Sequence, residues 1–290
     1  MPQLLQHQVF QSLASSPHAR LERCAELNDG LALAIWRNHH DSREYHSPGH
    51  HTLTCYLDGG TGTFRRERPA EKGAPDKLCV LPAGHESAWV INGDIRLVHL
   101  YVSDERFALD ALRLFDREPR EMQLREHTFL DDPVQALRFR RLIALPWEEP
   151  GERLLVSSLS HELLDHLLRT QAAPRQHPLL RGGLAPQQRR LLQDYIAQHL
   201  DEPLELDDLA SLVALSPYHF ARMFRISFGV PPHRYLLARR LERACRLLRD
   251  SPLPLGEIAL ACGFASASHF SNRFRAALGG TPGQYRAAFA

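Results

Sequence analysis

The last third of the chain contains one pattern of residues twice, and this repeat constrains the fold more than any other feature of the sequence. The segment LASLVALSPYHFARMFRISFGVPPHRY begins at Leu209, and the segment IALACGFASASHFSNRFRAALGGTPGQY begins at Ile258. When Ala265 is treated as one inserted residue, serine, histidine, phenylalanine, arginine, glycine, proline and tyrosine recur in the same order in both copies. Such a repeat indicates two copies of one supersecondary unit.

Each copy has the features of two short helices joined by a tight turn. In the first copy, Ser216 can cap the second helix, and Pro217 suits its first position. Phe220 and Phe224 lie four residues apart and therefore share one face of that helix, which Gly229 ends. The pattern predicts a helix-turn-helix in each copy, with the aromatic residues in the core.

The opposite face of each second helix is polar and partly cationic. Residues spaced i, i+3, i+4 and i+7 share this face; in the two copies they are Tyr218, Ala221, Arg222, Arg225, Ser268, Ser271, Asn272 and Arg275. Arginine can contact guanine or phosphate, and asparagine is suited to adenine. We therefore predict that these residues face DNA. The alternative is a helical bundle whose arginines are merely solvated, but such a bundle does not need two capped helices with matched polar faces.

The charge of the chain is unevenly distributed, although the formal net charge is only +1. From residue 185 to the end there are 13 arginines and 9 acidic residues, a balance of +4, whereas the preceding part has a balance of −3. An excess of arginine suits bidentate contacts with phosphate and guanine. The charge supports the DNA prediction, but it would be a weak argument without the repeat.

The two parts of the chain predict different kinds of domain. Helical spacing of apolar residues predicts an all-α domain of about seven helices over residues 187–290, with a long arginine-bearing helix between the two copies. Residues 170–186 are rich in proline and glycine and are predicted to be a linker. Short apolar runs broken by turn signals between residues 32 and 102 predict an antiparallel β-sandwich or barrel, and helical patterns follow at 133–145 and about 152–169. The predicted fold class is α+β multidomain.

The composition indicates the class of protein, its location and the state of its cysteines. The hydrophobic fraction of 43% and the charged fraction of 24% are those of a folded protein. The sequence has neither an apolar run of roughly 20 residues nor a secretory signal pattern, so we expect a cytoplasmic protein without a membrane partner. The 5 cysteines are scattered and are expected to be reduced thiols, because their spacing supports neither disulfides nor a thiolate zinc site.

The tandem copies, the helix between them and the closing segment GFASASHFSNRFRAALGGTPGQYR resemble the DNA-binding domain of the AraC/XylS transcriptional regulators. The upstream run KLCVLPAGHESAWV…IRLVHLYV is more weakly similar to the cupin-type effector domain often fused to it. The resemblance implies a cupin-like barrel over residues 1–169 that binds a small-molecule effector. It also implies double-stranded promoter or operator DNA as a partner, with RNA polymerase as a further candidate partner, and leaves activation and repression both open.

The resemblance also points to residues of an effector cavity. It places Trp89 and His99 on strands that line the cavity; Tyr101 lies on a strand as well, and His85 lies on the preceding turn. An aromatic platform with a few polar groups suits a sugar or a small aromatic or polar metabolite. The alternative for Trp89 is an ordinary place in the core of the barrel.

The many histidines of the first domain leave a second function open, that of a metal-binding cupin enzyme or metal sensor tethered to DNA. Histidine and carboxylate side chains would then hold iron, manganese or zinc. However, Ser87 stands where catalytic cupins have a histidine after the Pro-x-Gly turn, and the pair His50-His51 is not a His-x-His motif followed by glutamate. We therefore expect no catalytic residue, cofactor or metal site, and metal analysis of the purified protein discriminates the two functions.

The helix predicted at residues 152–169 suggests a homodimer. Its apolar stripe consists of Leu155, Leu159, Leu163 and Leu167, widened by Val156, Leu164 and Leu168. A paired antiparallel helix from a second copy would cover the excess by an isologous contact, as the resemblance to dimeric family members also suggests. The alternative is packing within one chain against the helix at 133–145.

Overall fold

The structure, a computed structural model, describes residues 7–149, 151–175 and 182–289. The chain divides into unit 1, residues 1–106 and 123–173, and unit 2, residues 107–122 and 174–290. Residues 107–122 thus group with the helical unit, although the sequence pattern places them in the first domain. Part of the predicted linker, residues 176–181, lies outside the described residues.

Unit 1 is built on a seven-stranded sheet in which the pairings are antiparallel. The strands of the chain are β1 Ala19–Glu26, β2 Leu31–His46, β3 His50–Gly59, β4 Thr63–Arg65, β5 Lys77–Leu81, β6 Glu86–Ser103, β7 Met122–Leu124, β8 His127–Asp131 and β9 Ala172–Pro174. The order in the sheet is β1-β2-β6-β3-β5-β8, and β4 pairs with β6. Strands β7 and β9 are not part of this sheet.

The two long strands β2 and β6 pair from Leu31–Val102 to His46–Glu86, with one register shift between His39 and Asp41. One of the turn signals between residues 32 and 102 is Asn92-Gly93-Asp94, which predicts a break between two strands. This prediction is wrong, because β6 runs through Gly93, whose φ is 96°. Glycine tolerates this angle, so the strand can bend without ending. As a result, Trp89 and His99 lie on one strand, where their partners on β2 are Arg43 and Ala34.

A short helix, α1 Gln8–Ala14, completes the core of unit 1. Its buried residues Val9, Phe10 and Leu13 belong to the same apolar cluster as Trp36 and Tyr101 of the sheet. The ring of Phe10 meets the ring of Trp36 edge-on, with 5.1 Å between the centroids, a favoured arrangement for aromatic pairs. The helix therefore covers the interior that the sheet residues line.

Helices α3 Pro133–Ala144 and α4 Arg153–Gln171 follow the sheet and pack on each other. The amide of Gln135 on α3 donates to the carbonyl of Leu163 on α4 at 3.0 Å. The expected apolar excess on α4 is smaller than the sequence suggests, because five of its seven stripe residues are buried within a single chain: Val156, Leu163, Leu164, Leu167 and Leu168. On the two helices, Val134, Leu137 and Leu155 remain exposed.

Unit 2 is helical. Its helices are most of α2 Asp104–Phe115, then α5 Pro186–Gln198, α6 Leu206–Leu212, α7 Pro217–Phe228, α8 Pro232–Asp250, α9 Leu255–Ala261, α10 Ala267–Leu278 and α11 Pro282–Ala287. The predicted two-part α+β class is confirmed, while closure of the sheet as a cupin-like barrel stays a prediction. Among the described residues, no helix has the length and apolarity needed to cross a membrane.

Candidate nucleic-acid interface and effector cavity

Helices α6 and α7 form one helix-turn-helix, and α9 and α10 form the other. The side chain of Ser216 accepts a hydrogen bond from the backbone N–H of His219, and Ser266 accepts one from His269. Both second helices end at a left-handed glycine, Gly229 with φ 74° or Gly279 with φ 80°. Because an N-cap and a C-terminal glycine fix where a helix begins and ends, the two copies present helices of the same length, 12 residues.

The aromatic residues of both copies lie in the core, as the repeat predicts. Phe220 and Phe224 are fully buried, with their ring centroids 5.5 Å apart and edge to face. Phe270 and Phe274 repeat both the burial and the 5.5 Å separation. The burial of these pairs leaves the opposite faces of α7 and α10 turned to solvent.

The predicted DNA-facing residues are placed on these outer faces. On α7, Tyr218 is 82% exposed, and Arg222 and Arg225 are also exposed. On α10, the exposed members are Ser268, Asn272 and Arg275. Ala221 and Ser271, which occupy equivalent positions, are half-buried. Each helix thus offers a cationic and hydrogen-bonding surface of about three turns.

Several arginines of α8 have structural partners, which the spacing of arginines in the sequence does not reveal. The guanidinium of Arg240 donates to the carbonyls of Leu200 and Glu202, at 3.1 and 2.8 Å. Arg243 lies 3.6 Å from a carboxylate oxygen of Asp201. These arginines hold the loop after α5 against α8, so the cationic surface of unit 2 is not simply the sum of its arginines.

Unit 1 contains a small cavity of about 50 Å³ beneath α1. Trp89 and His99 line it, together with Val9 and Leu13 of α1. The volume is well below the roughly 300–1,000 Å³ of common ligand pockets. In this structure the cavity therefore has room for a few water molecules, and a larger ligand requires side chains at its wall to move.

Two threonines supply polar groups at this cavity that the sequence reasoning missed. The hydroxyls of Thr54 and Thr63 are buried and have no hydrogen-bond partner in the described part of the chain, and both residues line the cavity. Thr54 pairs in register with His99 across β3 and β6. Its place could have been inferred only from this register, because alternating threonines in HTLTC are also typical of any half-buried strand.

Tyr101 joins the buried polar groups behind the cavity and is not among its lining residues. Its hydroxyl lies 2.9 Å from Nδ1 of His99 and accepts a hydrogen bond from Nε1 of Trp36 at 3.3 Å. The ring of His7 stacks on the Tyr101 ring, with a centroid distance of 5.2 Å. Tyr101 thereby fixes the orientation of His99.

Burial keeps the histidines of this region neutral. It lowers the pKa of His99 to about 3 and that of His50 to about 3, and it also lowers the pKa of His7 and His85. His85 lies near the cavity wall residue Tyr45, with ring centroids 6.0 Å apart, but does not itself line the cavity. Of the four predicted effector residues, the structure places Trp89 and His99 at the cavity.

The charged residue at the cavity is already paired. Arg43 donates to both carboxylate oxygens of Asp41 at 2.8 Å. Burial by itself raises the pKa of Asp41, but hydrogen bonds from Arg43, Asn38 and Ser16 hold it below its usual range. Within the described parts of the chain, no group of three or more histidines, cysteines or carboxylates is arranged to hold a metal ion.

Known proteins resemble the chain most clearly in unit 2. A family model described as a helix-turn-helix domain matches residues 209–288. The transcriptional activator RhaS of Escherichia coli O139:H28 is 28% identical over 261 residues, covering 86% of each chain. The DNA-binding domain of the global transcriptional factor AdpA, solved with a target DNA, is 35% identical over 34% of this chain and 88% of its own, with a TM-score of 0.33.

A regulator from Chromobacterium violaceum with an AraC-type DNA-binding domain is 35% identical over 36% of this chain and 93% of its own, with a TM-score of 0.34. Three curated regulators from Photobacterium leiognathi and Pseudomonas aeruginosa are 36%, 31% and 31% identical, but the match spans only 39%, 41% and 44% of their lengths. With its repeated helix-turn-helix and these sequence similarities, the chain belongs to the AraC/XylS family of transcriptional regulators.

Proposed function

We propose that the protein regulates transcription by binding double-stranded DNA through α7 and α10. The observation that carries this proposal is the pair of equally capped helices whose outer faces expose Tyr218, Arg222, Asn272 and Arg275. A helix of this kind fits the major groove, where arginine and asparagine can read base edges. The DNA complex solved for the AdpA domain supports the same partner.

The helix between the two motifs sets their separation. Helix α8 has 19 residues and is therefore about 28 Å long. Two recognition helices held apart by such an element can enter major-groove segments about one helical turn, roughly 34 Å, apart on one side of a duplex. This arrangement predicts a DNA site with two contacted segments in successive turns.

A selection experiment tests this function directly. The full chain is used to select binding duplexes from a randomised library, and Arg222→Ala and Asn272→Ala are compared with the wild type on the selected duplex. Each loss should weaken binding by about 1–3 kcal/mol if the residue reads a base, and the wild-type affinity should fall steeply with salt. The control is Arg20→Ala, an exposed arginine of the sheet in unit 1. Failure to enrich any duplex would overturn the proposal.

We further propose that a small molecule bound in the cavity of unit 1 controls DNA binding. The support is the buried hydroxyls of Thr54 and Thr63, to which no described residue hydrogen-bonds, beside Trp89 and the neutral His99. These groups favour an uncharged ligand with hydroxyl or amide groups, because the lining arginine is already neutralised. A thermal-shift screen of monosaccharides and small aromatic metabolites on the full chain tests this, and Trp89→Ala and His99→Ala should abolish any shift.

A homodimer through α3 and α4 is the third element of the proposal. Val134, Leu137 and Leu155 are exposed at 48%, 56% and 46% although they are large and apolar. An isologous contact between two copies would bury them. With two copies, the regulator would contact two DNA half-sites, and RNA polymerase is the candidate partner through which bound protein would act on transcription.

A further inference from the structure

We infer that residues 107–122 position the first recognition helix, α7, and have no equivalent role for α10. This inference rests on the proposed DNA-binding function. The apolar core around α7 contains Leu109 and Leu112 of α2 together with Phe224 and Phe228. Among the described residues, the apolar core around α10 consists of side chains between residues 237 and 285. The two copies resemble each other in sequence but are supported by different parts of the chain.

The segment also lies close to the glycine that ends α7. A Cβ atom placed on Gly229 would lie 2.4 Å from the Cβ of Ala108 and 3.9 Å from Cγ of Pro119. The backbone of α7 and the segment 107–122 therefore approach as closely as a glycine and an alanine permit. A larger side chain at residue 108 cannot be accommodated unless the end of α7 moves.

A buried ion cluster fixes the same segment. Glu118 is 3% exposed, and its carboxylate pairs with Arg120 and with Arg189 of α5, the latter at 3.2 Å. The amide of Gln193, also on α5, donates to Asp116 at 3.0 Å. Removing the Glu118 charge would leave two guanidinium groups without their carboxylate partner, and such a loss is costly in a buried site.

The position of the segment in the chain gives this support a consequence for regulation. Strand β6 carries Trp89 and His99, ends at Ser103 and continues directly into α2 at Asp104. A displacement of β6 on ligand binding would therefore be passed to residues 107–122 through the covalent chain. Control by the cavity would then act on the DNA contacts of α7, while those of α10 stay constant.

A double-mutant cycle on the full chain tests the inference. Ala108→Leu and Glu118→Gln each alter the supporting segment, while Arg222→Ala and Asn272→Ala remove one contact from α7 and α10 on a duplex selected by the wild type. In the wild-type background both removals are expected to weaken binding by about tenfold or more. In either altered background, the Arg222 effect should shrink towards twofold, and the Asn272 effect should keep its size. Hydroxyl-radical footprints should lose only the half protected by the first motif.

Each remaining outcome decides the question. An undiminished Arg222 effect in both backgrounds, with cooperative unfolding retained, overturns the inference. If Ala108→Leu fails to unfold cooperatively, Glu118→Gln decides, because it preserves the size of the side chain. Loss of both halves of the footprint in Glu118→Gln shows that the segment supports unit 2 as a whole and also overturns the inference. If the wild type selects no duplex, the proposed DNA-binding function is overturned, and the role of residues 107–122 is not the cause.

Discussion

Ala214 and Gly263 occupy the same position in the turns of the two helix-turn-helix motifs, and both have left-handed backbones, with φ values of 54° and 74°. Glycine adopts this conformation without steric cost, whereas alanine is strained there by about 1–2 kcal/mol. At Gly263 the site is also crowded, because a Cβ atom would lie 2.2 Å from the carbonyl oxygen of Leu200. An exchange between glycine and alanine should therefore change the folding free energy more at residue 263 than at residue 214.

We expect Gly263→Ala to destabilise the second motif by about 3 kcal/mol, from backbone strain and steric overlap together. Ala214→Gly should stabilise the first motif by about 0.5 kcal/mol, because relief of strain slightly exceeds the added entropy of the unfolded chain. Amide hydrogen exchange in α7 and α10 measures each local stability. If the two substitutions changed local stability by amounts of equal size and opposite sign, steric overlap with Leu200 would be excluded as a cause.

The repeat allowed both motifs to be predicted from sequence, because caps, aromatic pairs and terminal glycines are local signals. Ser216 and Gly229 act at the ends of α7 as the pattern indicates. The role of residues 107–122 could not be predicted, since their contact with Gly229 joins segments more than a hundred residues apart. The burial of Leu163 also depends on a tertiary partner, because a leucine stripe has the same spacing whether it packs within a chain or between chains.

Acid should unfold unit 1 before unit 2. Burial lowers the pKa of His50 and His99 to about 3, below the value near 6.5 of the unfolded chain. Since the unfolded state then binds more protons, this stability is complete above about pH 6.5 and falls by about 1.4 kcal/mol per pH unit per histidine between there and pH 3.

The tryptophans of the chain, Trp36, Trp89 and Trp147, all belong to unit 1, so their fluorescence reports its unfolding selectively. Urea titrations between pH 7 and 4 should show a steep loss of stability, and His50→Gln should make it shallower by about 1.4 kcal/mol per pH unit. His18→Gln, at an exposed position, serves as the control. An unchanged slope in His50→Gln would show that His50 accepts a proton in the folded state.

The hydroxyl of Thr54 should lower the stability of unit 1 and contribute to ligand binding. This hydroxyl is buried and has no partner among residues 7–149, 151–175 and 182–289, so Thr54→Val replaces an unsatisfied polar atom with a methyl group of similar size. We expect unit 1 to gain about 1 kcal/mol, measured by tryptophan fluorescence in urea, and to lose any thermal shift produced by a ligand found in the screen. Ser87→Ala is the contrast, because the Ser87 hydroxyl accepts from Nε1 of Trp89 at 2.9 Å and its loss should destabilise. A destabilised Thr54→Val would mean that the hydroxyl has a partner in the unliganded protein.

If the protein dimerises through α3 and α4, substitutions of exposed and of buried leucines on these helices should have different effects. Leu137 and Leu155 are 56% and 46% exposed, whereas Leu163 is fully buried within the chain. Leu137→Glu with Leu155→Glu should therefore give a folded monomer, because glutamate is tolerated on an exposed helix surface but not in an apolar contact between copies. Leu163→Glu should instead unfold unit 1, since it places a charge in the core. Sedimentation measures the mass, and tryptophan fluorescence checks the fold; a wild-type chain that sediments as a monomer at micromolar concentration would exclude this interface.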